Sequence, residues 1–294
     1  MANRHCFCKF DAFNQRLKKS RKPKMKNFSL KETSNLVEVL FLLKKCLLNR
    51  NKNTNKPTSI AFLGYTDFML TNAEWERVGL NYNILENRKN SERLKQVHGI
   101  LHDVSMVPTL QSVLAAIFDN NFSLSVFDFT KYSGDEIEHD FNFEIPKKFE
   151  SSFDIVIDNG TTEHIFNYAQ ALINIKKMTK LGGLIFHDVP MICPNHGFYG
   201  LNPTLFADFY EDNGCSVLDI IMRAEVYDEN LHKKRFQINS IPKFDRFRLP
   251  NTERQHTHSG SLEWGLSVAV QKSKELEEVR FPIQTKYRKI SDWV

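Results

Sequence analysis

The stretch Phe153 to Tyr199, FDIVIDNGTTEHIFNYAQALINIKKMTKLGGLIFHDVPMICPNHGFY, constrains this chain more than any other. Phe153 to Ile157 is a short apolar run, and Asp158-Asn159-Gly160 ends it with turn chemistry. That pattern predicts a buried strand of a parallel sheet. A helical period follows in Phe166, Ala169, Ala171, Leu172, Ile175 and Met178. Lys176, Lys177 and Lys180 sit where cations suit the negative end of a helix. Leu181-Gly182-Gly183 reads as a helix stop, Leu184 to Phe186 as a second buried strand, and Pro190 as the close of its loop. Strand, helix and strand in this order make a βαβ unit.

Ligands of open α/β sheets sit beyond the carboxyl ends of the strands. Two polar loops are therefore the places to look for chemistry: Asp158 to His164 and His187 to Tyr199.

FDIVIDNGTTEH, the LGG turn and the strand ending in Pro resemble the second half of a class I S-adenosylmethionine-dependent methyltransferase domain. PNHGFYGLNPTLFADFYEDNGCSV resembles a bacterial subgroup of that superfamily, in which a GHGFYxFSP-like segment follows the strand. The resemblance covers roughly residues 58 to 272. It implies a Rossmann-like three-layer α/β sandwich, mostly parallel with an antiparallel last strand, and S-adenosylmethionine as cofactor.

The bounds agree with a globular chain. There are 294 residues, 41% hydrophobic and 26% charged, enough apolar mass for a core. A net charge of +5 is mildly basic and does not demand nucleic acid. The five Cys are odd in number and scattered, so no disulfide framework is expected, which suits a reducing, cytoplasmic compartment. No apolar run approaches the roughly 18 residues of a membrane helix.

Residues 1–28 read as a basic arm (RLKKSRKPKMK), and 29–57 as a helix and a polar linker. Ser29-Leu-Lys-Glu32 fits a capping box. Residues 58–272 hold the methyltransferase-like domain, and 273–294 a charged tail. Buried runs at Ser59–Leu63 and Leu124–Phe127 predict further strands, a short one is expected to end at Asp140, another spans Ser216–Ile221, and Trp264–Val270, alternating apolar with smaller residues, reads as the last. A helix is expected over Val107–Phe118. Asp228 to Arg254, with KFDRFRLP, reads as irregular and basic, a lid or packing arm. His98 and His102, four residues apart, are incidental.

Candidate cofactor residues follow from the strand ends. Gly64 ends the first strand, where the backbone must pass close to the cofactor. Methyltransferases usually place more glycines there, whereas this chain has Tyr65, Thr66 and Asp67. Asp128 ends the second strand, where a carboxylate can accept two hydrogen bonds from ribose hydroxyls. Asp140, in HDFN, matches by resemblance the acidic residue that contacts the adenine amino group. Asp158 and Gly160 complete the cofactor set.

Methyl transfer is an in-line displacement that needs alignment and, for a hydroxyl or amine acceptor, a base. His164 and His196 are the candidate bases, with Tyr199 and Asn195 positioning the acceptor. No metal is expected: Cys6-x-Cys8 lacks a second pair, and Pro and Gly crowd His187, Cys193 and His196.

The first reading is a methyltransferase for a small-molecule or carbohydrate-type acceptor. The alternative is a non-catalytic protein of the same fold, serving binding or assembly, with a degenerate cofactor loop. A nucleotide-sugar enzyme on the same sheet is a third. A homo-oligomer is compatible with all three.

Overall fold

The structure, a computed structural model, describes residues 28–31, 33, 35–49, 56–66, 68, 70, 72–81, 85, 108–131, 134–193, 196–228, 233–240 and 263–288. The basic arm before residue 28, most of the polar linker, His98, His102, Asn195 and the KFDRFRLP segment lie outside the described residues.

Eight strands form one sheet: β1 (Thr58–Leu63), β2 (Phe122–Asp128), β3 (Ile137–Glu138), β4 (Phe153–Asn159), β5 (Thr179–Ile192), β6 (Cys215–Asp228), β7 (Lys233–Ser240) and β8 (Glu263–Lys272). Their order is β3-β2-β1-β4-β5-β8-β6-β7. The first five pair in parallel. β8 runs antiparallel between β5 and β6, and β7 is antiparallel at the edge. The mostly parallel sheet with an antiparallel last strand is thus observed. The order reverses between β1 and β4, and this switch point is where such sheets open a crevice.

Five helices are described: α1 (Leu36–Leu48), α2 (Asn72–Arg77), α3 (Leu110–Phe118), α4 (Tyr168–Met178) and α5 (Pro203–Asp212). Alternate strand residues serve the two sheet faces. Ala61, Val156 and Ile185 pack with Leu172, Ile175, Phe206 and Phe209 of α4 and α5. Ile60, Phe62, Ile155, Ile157 and Phe186 pack with Leu40 and Leu43 of α1 and Val113, Leu114 and Ile117 of α3. Each such buried Val, Leu, Ile or Phe contributes about 1.5–3 kcal/mol relative to exposure. Helices on both faces make the sandwich three layers.

Several local expectations change. Asn35 caps α1, its Oδ1 accepting from Glu38 N–H at 3.0 Å, while Ser29 Oγ accepts from Lys31 N–H at 3.2 Å, outside that helix. α4 begins at Tyr168, so Phe166 precedes it and lies 70% exposed. Leu181-Gly182-Gly183 does not stop α4 but kinks the start of β5, where the pairing with β4 shifts register. A Cβ on Gly183 would stand 2.8 Å from Thr179 Cγ2 and 2.9 Å from the Lys180 carbonyl, so only glycine fits. Thr179 Oγ1 instead closes the helix, donating to the Ile175 carbonyl at 2.7 Å. Pro190 lies within β5 and pairs with Gly265. The stretch expected to be irregular after Asp228 holds β7, paired with β6 from Ser240 through Lys233.

Candidate active site

The carboxyl ends of β1 to β5 share one edge of the sheet. Gly64 follows β1 with φ +73°, and its N–H donates to the Phe127 carbonyl at 2.7 Å, fastening it beside the end of β2. A Cβ there would meet Thr161 Oγ1 at 2.5 Å, so the glycine lets the loops after β1 and β4 touch. Thr161 Oγ1 donates to the Leu63 carbonyl at 2.7 Å. Tyr65 and Thr66 are turned to other work: Thr66 is buried, and the Tyr65 hydroxyl accepts from Leu110 N–H at 3.2 Å.

Asp128 ends β2 half-buried, and its Oδ1 accepts from Thr130 N–H at 3.4 Å, a long bond that leaves acceptor capacity. Asp140 follows β3. Its Oδ1 accepts from the Asn142 backbone at 2.9 Å and side chain at 2.7 Å. Asn142 in turn accepts from Asn167 N–H at 2.8 Å, joining Asp140 to the cap of α4.

Asp158 departs from expectation. It is wholly buried, with Oδ1 accepting from the N–H groups of Thr161 and Thr162 at 3.3 and 3.1 Å. Its Oδ2 takes Thr162 Oγ1 at 2.5 Å and His187 Nδ1 at 2.7 Å. With both oxygens so engaged, this carboxylate organises the loop after β4 and does not face a ligand. His187, which opens the second polar loop, is also interior, and its Nε2 lies 2.6 Å from the Tyr210 hydroxyl. Burial pushes that hydroxyl well above its ordinary range, so it stays protonated. Asp188 is bound to Ser267 Oγ at 2.8 Å and Arg223 Nη1 at 3.5 Å. Gly160 is exposed with φ +76°.

The candidate bases do come together. The rings of His164 and His196 are half exposed with centroids 4.9 Å apart. Burial, then the neighbouring His196, holds His164 below its ordinary range. The acidic residue that lies beside both was unassigned in the sequence. Glu163 Oε1 lies 3.3 Å from His196 Nε2 and 3.8 Å from His164 Nε2. Glu163 is fully buried, and its Oε2 has no hydrogen-bond partner among the described residues. Burial, with the charges of Asp158 and Asp188, pushes its carboxyl up to about 8. Its signal was an acidic residue beside His164 in a strand-end loop.

The loop after β5 closes onto this point. Phe198 N–H donates to the Glu163 carbonyl at 2.8 Å, and Tyr199 OH donates to the Phe166 carbonyl at 2.7 Å. The Tyr199 proton is therefore spent on the backbone, leaving its oxygen as an acceptor. Phe166 and Phe198 meet edge to face at 5.6 Å, both exposed beside the histidines.

No protein-family model and no curated protein sequence matches the chain. Solved structures similar to it include the Burkholderia thailandensis 1,6-didemethyltoxoflavin-N1-methyltransferase, bound to 1,6-didemethyltoxoflavin and S-adenosylhomocysteine. That match has 10% identity, 93% of either chain covered and a TM-score of 0.41. Another is a SAM-dependent methyltransferase from Archaeoglobus fulgidus, at 12% identity, with 79% of this chain and 94% of that one covered and a TM-score of 0.38. Similarity at this level says nothing about the site, and the fold rests on the strand order. Among the described residues no helix is long and apolar enough to cross a membrane.

Proposed function

We propose that this chain is an S-adenosylmethionine-dependent methyltransferase of the bacterial NHGFY-bearing kind. Its acceptor would be the hydroxyl or amine of a small molecule or carbohydrate. The observation that carries the reading is the juxtaposition of Gly64 and Asp128 at the ends of neighbouring strands beside the switch point, joined through the 2.7 Å bond from Gly64 N–H to the Phe127 carbonyl. Asp128 has the acceptor capacity that ribose hydroxyls need, and Asp140 follows on the next strand. The cofactor supplies an activated methyl group on a sulfonium.

The chain's own residues then have separable tasks. Asp128 orients the cofactor through the ribose. An acceptor over His164 and His196 loses its proton to an imidazole, with His164 held in its neutral, basic form. Tyr199 offers an oxygen that positions the acceptor's donor group. Phe166 and Phe198 supply an apolar wall.

A non-catalytic role draws support from the loop after β1, where Tyr65 and Thr66 stand in place of further glycines. Calorimetric titration with S-adenosylmethionine and S-adenosylhomocysteine separates the two. Micromolar binding is the expected result. No binding at millimolar ligand overturns the enzyme reading in favour of a binding or assembly protein.

A further inference from the structure

We propose that Glu163, His164 and His196 form a binding site for a divalent transition-metal ion of the zinc type. The donor atoms of the three side chains all lie within 4.8 Å of one another. Two ligands each about 2.0–2.1 Å from zinc at a tetrahedral angle stand about 3.3 Å apart. The Glu163 Oε1 to His196 Nε2 separation is 3.3 Å, and that to His164 Nε2 is 3.8 Å. Both imidazoles are half exposed, so they can turn about their side-chain bonds to close the remaining gap, while the buried Glu163 is the fixed anchor.

A second observation points the same way. Glu163 Oε2 is buried and has no hydrogen-bond partner among the described residues, in a place where such a group is costly. The carboxylates of the buried Asp158 and the part-buried Asp188 also bear on Glu163. A cation held beside the two imidazoles would satisfy this buried carboxylate. Two imidazoles and one carboxylate suit zinc, cobalt, nickel or iron, and not the all-oxygen preference of magnesium or calcium. Three protein ligands at a solvent-facing position leave coordination sites for a small molecule.

The site also changes how an acceptor would be activated, a consequence that rests on the methyl-transfer reading, although binding itself does not. With the ion in place both Nε2 lone pairs are engaged. An acceptor hydroxyl bound to the ion then becomes acidic through the cation, with its proton passing to solvent.

The test uses the full chain, stripped with a chelator and titrated with Co2+ and with Zn2+. One ion per chain is expected, with visible cobalt bands of nitrogen and oxygen ligation. Affinity should fall by roughly 100-fold or more in the His164→Ala/His196→Ala variant and in Glu163→Gln. Absence of binding at millimolar ion, or unchanged affinity in these variants, overturns the site. If a variant does not fold, the unmodified protein decides. Zn2+ should protect His164 and His196 from diethyl pyrocarbonate, read residue by residue by mass spectrometry, and lack of protection overturns the proposal. Titrating the same samples with S-adenosylmethionine keeps the two ideas apart. Cofactor binding without metal binding removes only the metal site, and metal binding without cofactor binding removes only the methyltransferase reading.

Discussion

The backbone N–H of Phe198 donates to the carbonyl of Glu163 at 2.8 Å, so the loop after β5 is held against the loop after β4. Gly197 makes this contact attainable. It has φ +68°, and a Cβ would stand 2.8 Å from the Glu163 carbonyl oxygen and 2.9 Å from its Cγ. Gly197→Ala should therefore separate the two histidines and cost about 1–2 kcal/mol of stability from the left-handed backbone alone. Urea unfolding checks the stability. If the proposed methyl transfer is the activity, its turnover should fall by up to roughly 100-fold, since misplacement by about 1 Å is worth that much.

The interior beneath the site is a polar chain, Asp158–His187–Tyr210, with links of 2.7 and 2.6 Å. Tyr210→Phe keeps the ring and leaves His187 Nε2 buried without a partner. The expected loss is about 1–3 kcal/mol, read from the urea midpoint at constant slope. Cofactor affinity should be nearly unchanged, because both residues are wholly buried. A parallel collapse of affinity would mean that this chain faces the ligand after all.

Much of the sheet was legible because its central strands are continuous apolar runs: Ile60 to Leu63, Ile155 to Ile157 and Leu184 to Phe186 are all buried on both faces. Strand β7, KKRFQINS, was missed because an edge strand carries charges and needs no second buried face. Leu181-Gly182-Gly183 misled because glycine serves helix caps and strand bulges alike. At the site, the strand-end positions of Asp128 and Asp140 could be read from the sequence. The inward turn of Asp158 could not, since it depends on His187 from the next strand. Glu163 was hidden for the same reason: its burial needs a loop more than thirty residues further on.

Asp154 predicts how the fold responds to acid. Its Oδ2 accepts from Ser59 N–H at 2.9 Å, Ser59 Oγ at 2.6 Å and Lys180 Nζ at 2.9 Å, tying β4 to β1 and β5. Burial alone would raise this carboxyl, but the bonds from Ser59 and Lys180 outweigh it and hold it below the ordinary range. A depressed folded value means that the contribution is complete above the unfolded value of about 3.9. It is lost as pH falls through the lower folded value. Asp154→Asn should cost about 1–2 kcal/mol near neutral pH, the pair with the half-exposed Lys180 adding little. Its unfolding midpoint should also fall less steeply below pH 4 than that of the unchanged protein. Equal acid limbs would remove Asp154 from the acid response.

Asp128 gives the sharpest test of the cofactor assignment, because its neighbour Asp140 provides an internal control. Asp128 accepts one long bond of 3.4 Å, whereas Asp140 already holds Asn142 at 2.7 and 2.9 Å. Two ribose hydroxyls donating to a carboxylate are worth about 1.5–3 kcal/mol each. Asp128→Ala should thus weaken S-adenosylhomocysteine binding by at least about 100-fold. Asp128→Asn, which keeps one acceptor oxygen, should fall between. Neither change should move the unfolding midpoint much, because the side chain is half-buried and, among the described residues, bonds Thr130 N–H alone. Asp140→Ala should behave differently, lowering stability together with affinity, because Asp140 orders Asn142 and through it the start of α4. If Asp128→Ala binds as well as the unchanged protein while Asp140→Ala does not, the ribose lies elsewhere and the nucleoside is read from the β3 side of the crevice.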